Sequence, residues 1–336
     1  MVVRGRKAQN IAQFNNRIVA QLLLSNPYSC IEMSKKIKLT HTAIGFIVDR
    51  LLDMDLIQIH VENISKRTKG RQHVRYEINP KRAFFVCVNL QNGNETLSFY
   101  DLVGNVIYSE KINGMFIDEF TLNIKLGIDT VEKISEKLVD NAYAEELIKK
   151  IKKCINDLKL NEDLLATISI AIPGRVDNQN GNIIVSSKVS REVNLKEAFA
   201  KHFNNIRIEL KNDIVYACTG SMLSNEFDYG KGSHLFVYIG AGLSCCLINN
   251  SEMVTSANGF GGEIGMNYID RNGMRLNEAI SINEVLELGK KVFNNPNLTL
   301  KEVLDKSADN EILKEKILEI AKDLAITAPT PAILMT

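Results

Sequence analysis

Apolar residues recur with helical spacing in the segment 40–54. The positions i, i+3, i+4, i+7 and i+8 are occupied by Ile44, Ile47, Val48, Leu51 and Leu52. This spacing predicts one buried stripe on an α-helix of about 14 residues, and Thr40 in front of it is a suitable N-cap residue. The opposite face of the predicted helix carries small or polar side chains: His41, Thr42, Gly45, Asp49 and Arg50.

A shorter helix is predicted directly before this one. Ser29 and Glu32 have the S-x-x-E spacing of a capping box. In this motif the serine caps the helix and the glutamate accepts a hydrogen bond from the serine N–H. Helical spacing further upstream predicts a third helix that packs behind the first two through Ile11, Phe14, Ile18 and Leu22.

Two strand-like segments, residues 56–60 and 75–78, follow the helices and predict a hairpin. The segment between them contains KRTKGR at residues 66–71, four cations around one glycine. Such a loop cannot bury its charge, so it faces either water or a polyanion. An arginine next to a glycine can also enter a narrow minor groove of DNA.

Two short helices followed by a basic hairpin predict a winged helix-turn-helix, with the helix of residues 40–54 in the major groove. The helix spacing alone would also fit any pair of amphipathic helices, so the basic hairpin decides between the two interpretations. Arg4 and Arg6 are expected to add phosphate contacts, while Arg71 probes the minor groove. The expected DNA-binding residues are Thr40, His41, Thr42, Gly45, Lys66, Arg67, Lys69, Gly70 and Arg71.

Charge is distributed unevenly along the chain. Residues 1–80 hold 13 Lys and Arg against 6 Asp and Glu, a net charge of +7, whereas the other 256 residues hold 28 against 34. The overall net charge of +1 therefore hides a cationic head on an anionic body. We expect a DNA-binding domain over residues 1–80 and a body over residues 81–336 that does not bind DNA.

Composition excludes several classes of protein. Hydrophobic residues make up 45% of the chain and charged residues 24%, values typical of a soluble globular protein. We find neither an apolar run of about 20 residues nor a signal-peptide pattern, and we therefore expect a cytoplasmic protein without a membrane partner. The six cysteines lack C-x-x-C spacing and are expected to be reduced core thiols, with Cys245 and Cys246 on opposite faces of a strand.

Strand-like and helix-like segments alternate after Pro80. Three short β-rich runs at residues 84–90, 96–101 and 106–110 predict a meander, and a helical pattern follows at 145–158. Further strands are predicted at 165–172, 206–210 and 235–239. This alternation predicts an α/β body with ligand-binding loops at strand ends.

The order of these motifs resembles the ROK family of repressors and sugar kinases. The resemblance rests on the predicted winged helix-turn-helix and on four ordered short motifs, which are IPG at 172–174, ND at 212–213, IGAG at 239–242 and GFGGEIG at 259–265. It implies an actin-like or hexokinase-like body of two lobes that binds a sugar between them. Family members normally end with a further strand, a Gly-Gly turn and helices that this sequence does not show, so we expect either a naturally shortened or an altered C-terminal end, and with it an incomplete second lobe.

The resemblance also predicts that kinase activity is lost. Family kinases cradle phosphate with an Asp-x-Gly-x-Thr loop, and residues 89–93 here read NLQNG. Asp213 matches the family's catalytic base, but a base without bound phosphate has nothing to catalyse. We therefore expect no catalytic residue, no cofactor and no enzyme activity.

Zinc and sugar sites are altered as well. Met266 replaces a family zinc-ligand histidine, and Ile269, Arg271 and Leu276 stand where thiolates would be, so no metal is expected. The family's sugar-facing set is retained only in part, at Gly174, Asn212, Asp213, Glu263 and Glu278, and a further family asparagine is missing near residues 187–189. The alternatives are an N-cap pair for Asn212 and Asp213, a first-turn helix carboxylate for Glu263, and a solvated helix residue for Glu278.

The predicted function is a sequence-specific DNA-binding transcriptional regulator, a repressor of carbohydrate-metabolism genes. Its partners would be a double-stranded DNA operator, a sugar or sugar-phosphate effector, and a second copy of the chain in a homodimer or a dimer of dimers. Two alternatives stay open: an active ROK-type sugar kinase that retains a DNA-binding head, and a silencing protein without small-molecule control.

Overall fold

The computed structural model describes residues 8–61, 74–91, 95–112, 141–177, 180–186, 189, 191, 193–224, 230–240, 243–254, 262–267, 273, 275–280 and 282–327. Its α-helices are α1 (Ala8–Ser25), α2 (Cys30–Ile37), α3 (His41–Asp53), α4 (Asn141–Asp157), α5 (Leu195–Ala200), α6 (Asp213–Leu223), α7 (Leu276–Ala279), α8 (Ile282–Val292), α9 (Leu300–Ser307) and α10 (Glu311–Thr327). Its strands are β1 (Tyr28–Ser29), β2 (Ile57–Ile59), β3 (Arg75–Ile78), β4 (Phe84–Asn89), β5 (Thr96–Asp101), β6 (Val106–Lys111), β7 (Leu165–Ile172), β8 (Gly174–Val176), β9 (Ile183–Ser186), β10 (Arg207–Asn212), β11 (Ser233–Ile239), β12 (Leu243–Asn249) and β13 (Glu252–Val254).

Helices α1 to α3 and strands β1 to β3 form the N-terminal unit. The strands make an antiparallel sheet in the order β1-β3-β2, which shares an apolar core with the three helices. The capping box at α2 is confirmed, since the Ser29 N–H donates to the Glu32 carboxylate at 2.8 Å. The N-cap at α3 is confirmed as well, because the Thr40 hydroxyl accepts from the Ala43 N–H at 3.2 Å. Local hydrogen bonding therefore starts both helices where the sequence predicts.

The predicted buried stripe of α3 is confirmed, whereas the packing positions predicted on α1 are confirmed only in part, since Leu22 is partly buried against the core. Ile44 and Val48 of α3 are almost fully buried. On α1, however, Phe14 is 52% exposed, while Val19 and Leu23 are buried. Val19 and Leu23 each follow a predicted position by one residue, and one residue turns a helix by about 100°. The amphipathic pattern predicted that α1 is a helix, but it predicted only in part which face of α1 is buried in the tertiary structure.

The N-terminal unit is attached to the body at the end of α3. A 3₁₀ turn at Pro80–Arg82 follows β3, and the Arg82 Nε donates to the Met54 carbonyl at 2.9 Å. The Leu102 N–H donates to the Pro80 carbonyl at 3.1 Å, and the Leu102 side chain packs against the core of the N-terminal unit. The position of α3 is thus linked directly to the β-meander of the body.

The central sheet of the body has the strand order β10-β7-β4-β5-β6. Strands β4, β5 and β6 form the predicted antiparallel meander, while β7 and β10 run parallel to β4. Alternate residues of β4 and β7 are buried in one apolar core with α4 and α5. The other face of the sheet, which carries Cys87, Asn89 and Ser169, contributes to the cavity described below.

A second sheet, β11-β12-β13, is antiparallel and packs against α6 through β12. The predicted placement of two neighbouring thiols is confirmed here. Cys245 belongs to a core cluster with Leu276, whereas Cys246 belongs to a cluster with Cys218 of α6. None of the six cysteines forms a disulfide. No helix in the described ranges is both long and apolar enough to cross a membrane.

Candidate functional site

The outward face of α3 is the first candidate site. His41 and Thr42 are exposed at its first turn, and Asp49 and Arg50 are exposed two turns later. Gly45 lies between them, and a Cβ added there would meet no protein atom within 4 Å. Among the described residues, this face is therefore not used for packing and is accessible to a partner.

Thr40 has a different position from its predicted neighbours. Its hydroxyl is used to cap α3, so its side chain has an internal role as well as an exposed one. The other residues that were predicted to contact DNA, six cations and one glycine, lie outside the described residues. These are Arg4, Arg6, Lys66, Arg67, Lys69, Arg71 and Gly70.

Phe46 is a surface residue that the sequence prediction missed. Its side chain is 69% exposed on the same side of α3 as Thr42 and Asp49. The predicted stripe already excluded position 46, which would have been a sufficient signal, because a large aromatic residue off the buried stripe of a helix must face outward. Phe46 therefore joins the set of exposed groups on α3.

The base of the hairpin is held in place by polar contacts. The Gln58 amide donates to Glu77 at 2.7 Å, and the His60 Nδ1 lies 2.5 Å from the other oxygen of that carboxylate. The Arg75 guanidinium of β3 donates to Glu32 of α2 at 2.6 Å. The Ser29 N–H and then Arg75 hold the pKa of the Glu32 carboxyl below its usual range. Glu32 thus joins the hairpin to the helix that precedes α3.

The predicted sugar-facing residues form the second candidate site. At the end of β10, the Asn212 amide donates to the Gly174 carbonyl at 2.5 Å, and its oxygen accepts from the Ile214 N–H at 2.8 Å. The Asp213 carboxylate accepts from the same N–H at 2.9 Å. Asn212 is therefore the N-cap of α6, as the structural alternative predicted, and it also holds the β8 turn.

Gly174 is required by the backbone at this point. Its φ of 137° lies in the region that favours glycine, and an added Cβ would lie 2.3 Å from the Val185 carbonyl oxygen. The strand pair β8-β9 therefore approaches this residue too closely for any side chain.

Three charged groups come together near Asp213. Burial raises the pKa of the Asp213 carboxyl. Burial also raises the pKa of Glu263. The charge of Arg175 lowers this pKa, and the charge of Asp213 raises it further. The sequence analysis missed Arg175, whose only signal was its position directly after the Gly174 turn. This arrangement provides two acids of reduced acidity and one cation, a combination that can bind hydroxyl groups.

A cavity of about 410 Å³ lies beside Asp213, between the open face of the central sheet and β11. The Gln91 amide crosses it and donates to the Tyr238 hydroxyl at 2.7 Å. The described lining residues include no lysine and no arginine, and Asp213 is their one acid. The lining consists of Cys87, Val88, Asn89, Gln91, Thr96, Ser98, Tyr100, Ser169, Ala171, Asp213, Tyr216, Ala217 and Tyr238.

The remaining predicted site residues lie in or near α7. Glu278 belongs to α7, but its side chain lies outside the described residues. Leu276, which stands at a predicted former zinc-ligand position, is fully buried in an apolar cluster. Met266 is 48% exposed. Among the described residues, no group of three or more His, Cys, Asp or Glu side chains could hold a metal ion.

A family model described as "ROK family" matches residues 123–277. The chain carries a ROK-family domain. This confirms the resemblance, and curated relatives extend it beyond the matched range. The chain is 22% identical to the xylose repressor of Caldicellulosiruptor bescii over 263 residues, which cover 77% of this chain and 60% of the relative. It is 23% identical to the xylose repressor of Staphylococcus xylosus, covering 75% and 60%. The chain thus spans about three fifths of the length of these curated relatives.

Solved structures support the same fold. A ROK family transcriptional regulator described as a homologue of the E. coli MLC protein superposes with a TM-score of 0.64 at 19% identity, over 94% of this chain and 78% of that chain. A ROK family glucokinase from Streptomyces griseus superposes with a TM-score of 0.53 at 12% identity, over 75% and 80%. The mixed α/β fold of the ROK type, with sugar kinases as structural neighbours, is therefore established.

Proposed function

We propose that this protein is a sequence-specific DNA-binding transcriptional repressor of carbohydrate-metabolism genes. The observation that carries the proposal is the outward face of α3, whose exposed small and polar groups have no packing role. This face belongs to the part of the chain that has a net charge of +7. A positively charged unit that exposes one polar face of a helix is typical of a DNA-binding domain.

The N-terminal unit is proposed to act as a winged helix-turn-helix, within a DNA-binding domain of residues 1–80. Helix α3 would enter the major groove, and the loop between β2 and β3 would be the wing, with Arg71 in the minor groove. The Glu32–Arg75 contact supports this role, because it fixes the hairpin relative to the helix pair. A homodimer or a dimer of dimers would present such heads to a two-fold-related operator.

Two relatives are named xylose repressor, which supports both the repressor function and a carbohydrate-related set of target genes. The body, residues 81–336, would serve dimerisation and effector binding instead of catalysis. Asn89 stands where family kinases place the first carboxylate of the phosphate cradle, and its side chain accepts a hydrogen bond from the Gln91 N–H at 3.1 Å. The contact between Gln91 and Tyr238 spans the neighbouring cavity, whose described lining lacks a cation for phosphate.

The effector proposed for the body is a sugar or a sugar phosphate, bound at Gly174, Asn212, Asp213, Glu263 and Glu278. The described lining on one side of Asp213 carries no cation and favours an uncharged sugar there, while Arg175 offers one positive charge beside Glu263. Thermal-shift titrations with xylose, glucose and their phosphates test this proposal. A stabilising sugar whose effect is unchanged in Asp213→Asn would place the effector elsewhere.

DNA binding is tested by selecting duplexes from a random pool with the full chain, followed by affinity measurements at several salt concentrations. Lys69→Ala should weaken binding to all sequences and reduce the salt slope by about one unit. Arg71→Ala should instead weaken the selected sequence most. Lys322→Ala, an exposed change on α10, is the matched control and should leave affinity and slope unchanged. Failure to select any sequence at low salt would refute the proposal.

A sugar kinase that retains a DNA-binding head is the second candidate, because Asp213 keeps the position of the family's base and burial raises its pKa, as general bases often require. This candidate predicts consumption of ATP in the presence of xylose or glucose, abolished by Asp213→Asn. The repressor proposal predicts no turnover in either protein.

A further inference from the structure

Phe46 is an exposed aromatic side chain whose one apolar neighbour at helical spacing is the small residue Ala43. Its neighbours three or four residues away are Thr42, Ala43, Asp49 and Arg50, of which all but Ala43 are exposed polar residues. A folded protein does not gain stability from a large apolar side chain that is 69% exposed. The ring of Phe46 therefore contributes little to folding and is available to a partner.

The surroundings of Phe46 favour DNA over a protein as that partner. A lone ring among polar groups is smaller than the contiguous apolar patches that mark protein interfaces. The region also carries the positive charge of residues 1–80, which complements a polyanion. Gly45 next to Phe46 has open space around it, so the helix backbone can approach a surface closely at this point.

We propose that Phe46 contacts the C5-methyl group of a thymine in the major groove of the operator. The major groove exposes this methyl group as its one apolar feature, and phenylalanine is among the side chains that recognise it. Thr42 and Arg50 on the same helix would contact neighbouring base edges or phosphates. This inference rests on the proposed function, since it assigns a base preference to the recognition helix.

Deoxyuridine provides a direct test, because it differs from thymidine by the absence of this one methyl group. Operators selected with the full chain are synthesised with each thymine replaced in turn by uracil, and binding is measured by fluorescence anisotropy at fixed salt. At one thymine per half-site, uracil should weaken wild-type binding by about fourfold, the change expected for losing one buried methyl contact. Other thymines should show smaller effects.

Variants of position 46 then link the methyl effect to this side chain. Phe46→Ala should bind thymine and uracil operators equally at that position, while Phe46→Leu should keep part of the discrimination because it remains apolar. Leu223→Ala on α6, where Leu223 is 74% exposed, is the matched control and should discriminate as the wild type does. Phe46 is exposed, so all variants are expected to unfold at the wild-type denaturant concentration.

The outcomes separate the inference from the proposed function. If the wild type selects an operator but Phe46→Ala retains the full uracil effect, the inference is overturned while the repressor proposal stands. If Phe46→Ala instead dissociates an oligomer in light-scattering measurements and leaves the uracil effect intact, the ring belongs to a protein interface. If no sequence is selected, the proposed function and this inference fail together.

Discussion

The outward face of α3 and the surroundings of Asp213 differ in how far their polar groups stabilise the fold. On α3, His41 and Thr42 are exposed, and Gly45 has no atom near its missing side chain. At the start of α6, Asn212 caps a helix and clamps the Gly174 turn. The first site can therefore be changed without loss of stability, whereas the second is part of the fold.

This difference determines how each site can be tested. A substitution on α3 that weakens DNA binding can be attributed to a lost contact, because folding does not depend on that face. A substitution at Asn212 that weakens sugar binding can act through either contact or stability. Glycine provides the sharpest form of the comparison, since Gly45 and Gly174 occupy the two sites for opposite reasons.

The largest effect is expected for Gly174→Ala. The new Cβ would lie 2.3 Å from a backbone oxygen of β9, and the φ of 137° would be strained for alanine. We expect a loss of about 3 kcal/mol or more in the free energy of unfolding, the sum of backbone strain and steric overlap. Denaturant titration followed by circular dichroism measures it. A loss below 1 kcal/mol, on the order of ordinary surface changes, would mean that the β8-β9 turn is not tightly held.

Asn212→Ala should have the next largest effect. It removes the cap of α6 and the amide donor to the Gly174 carbonyl, which together contribute about 2 kcal/mol. Asn212→Ser keeps a capping oxygen and loses the donor, so it should cost about half as much. Equal losses in the two variants would show that the contact with Gly174, and not the cap, accounts for the effect. Both values come from denaturant titration.

Gly45→Ala should have the opposite effect on stability. Glycine inside a helix costs about 1 kcal/mol relative to alanine, and nothing in the protein obstructs the added methyl group. The variant should therefore unfold at higher denaturant concentration while it binds a selected operator more weakly, because the methyl group prevents close approach of the helix. A variant that is more stable and binds normally would remove Gly45 from the DNA-contacting set.

The sequence predicted most elements of the two sites because their signals are local. Capping at Ser29 and Thr40 and the strand at residues 165–172 each depend on a few neighbouring residues. The buried face of α1 was predicted only in part, since Phe14 and Val19 are both apolar and only tertiary packing decides which of them is buried. The spacing of apolar residues along the chain does not determine which of the two is buried.

The cavity beside Asp213 could not be predicted for a similar reason. Gln91 and Tyr238 are 147 positions apart, and their hydrogen bond depends on how β11 is placed against the central sheet. Arg175 likewise joins Asp213 and Glu263 only in three dimensions. The family motifs indicated Asp213 and Glu263 individually, but the electrostatic relation among the three groups follows from the fold.

The smallest effect is expected from charge, and its sign should differ between the two regions. Burial raises the pKa of Asp213, so the ionised carboxylate destabilises the folded state at pH values above that raised pKa, and the penalty disappears as the pH falls below the ordinary value of about 4. Asp213→Asn should therefore be slightly more stable than the wild type at neutral pH, by less than the loss in Asn212→Ser.

Glu32 has a lowered pKa, so its ionised form stabilises the folded state at pH values above the ordinary pKa of a glutamate, and this contribution is lost on acidification. Glu32→Gln should thus be less stable than the wild type at neutral pH, and both differences should narrow in acid. If Asp213→Asn is instead destabilised at neutral pH, the surroundings of Asp213 stabilise its charged carboxylate, and the contrast with Glu32 in the N-terminal unit is lost.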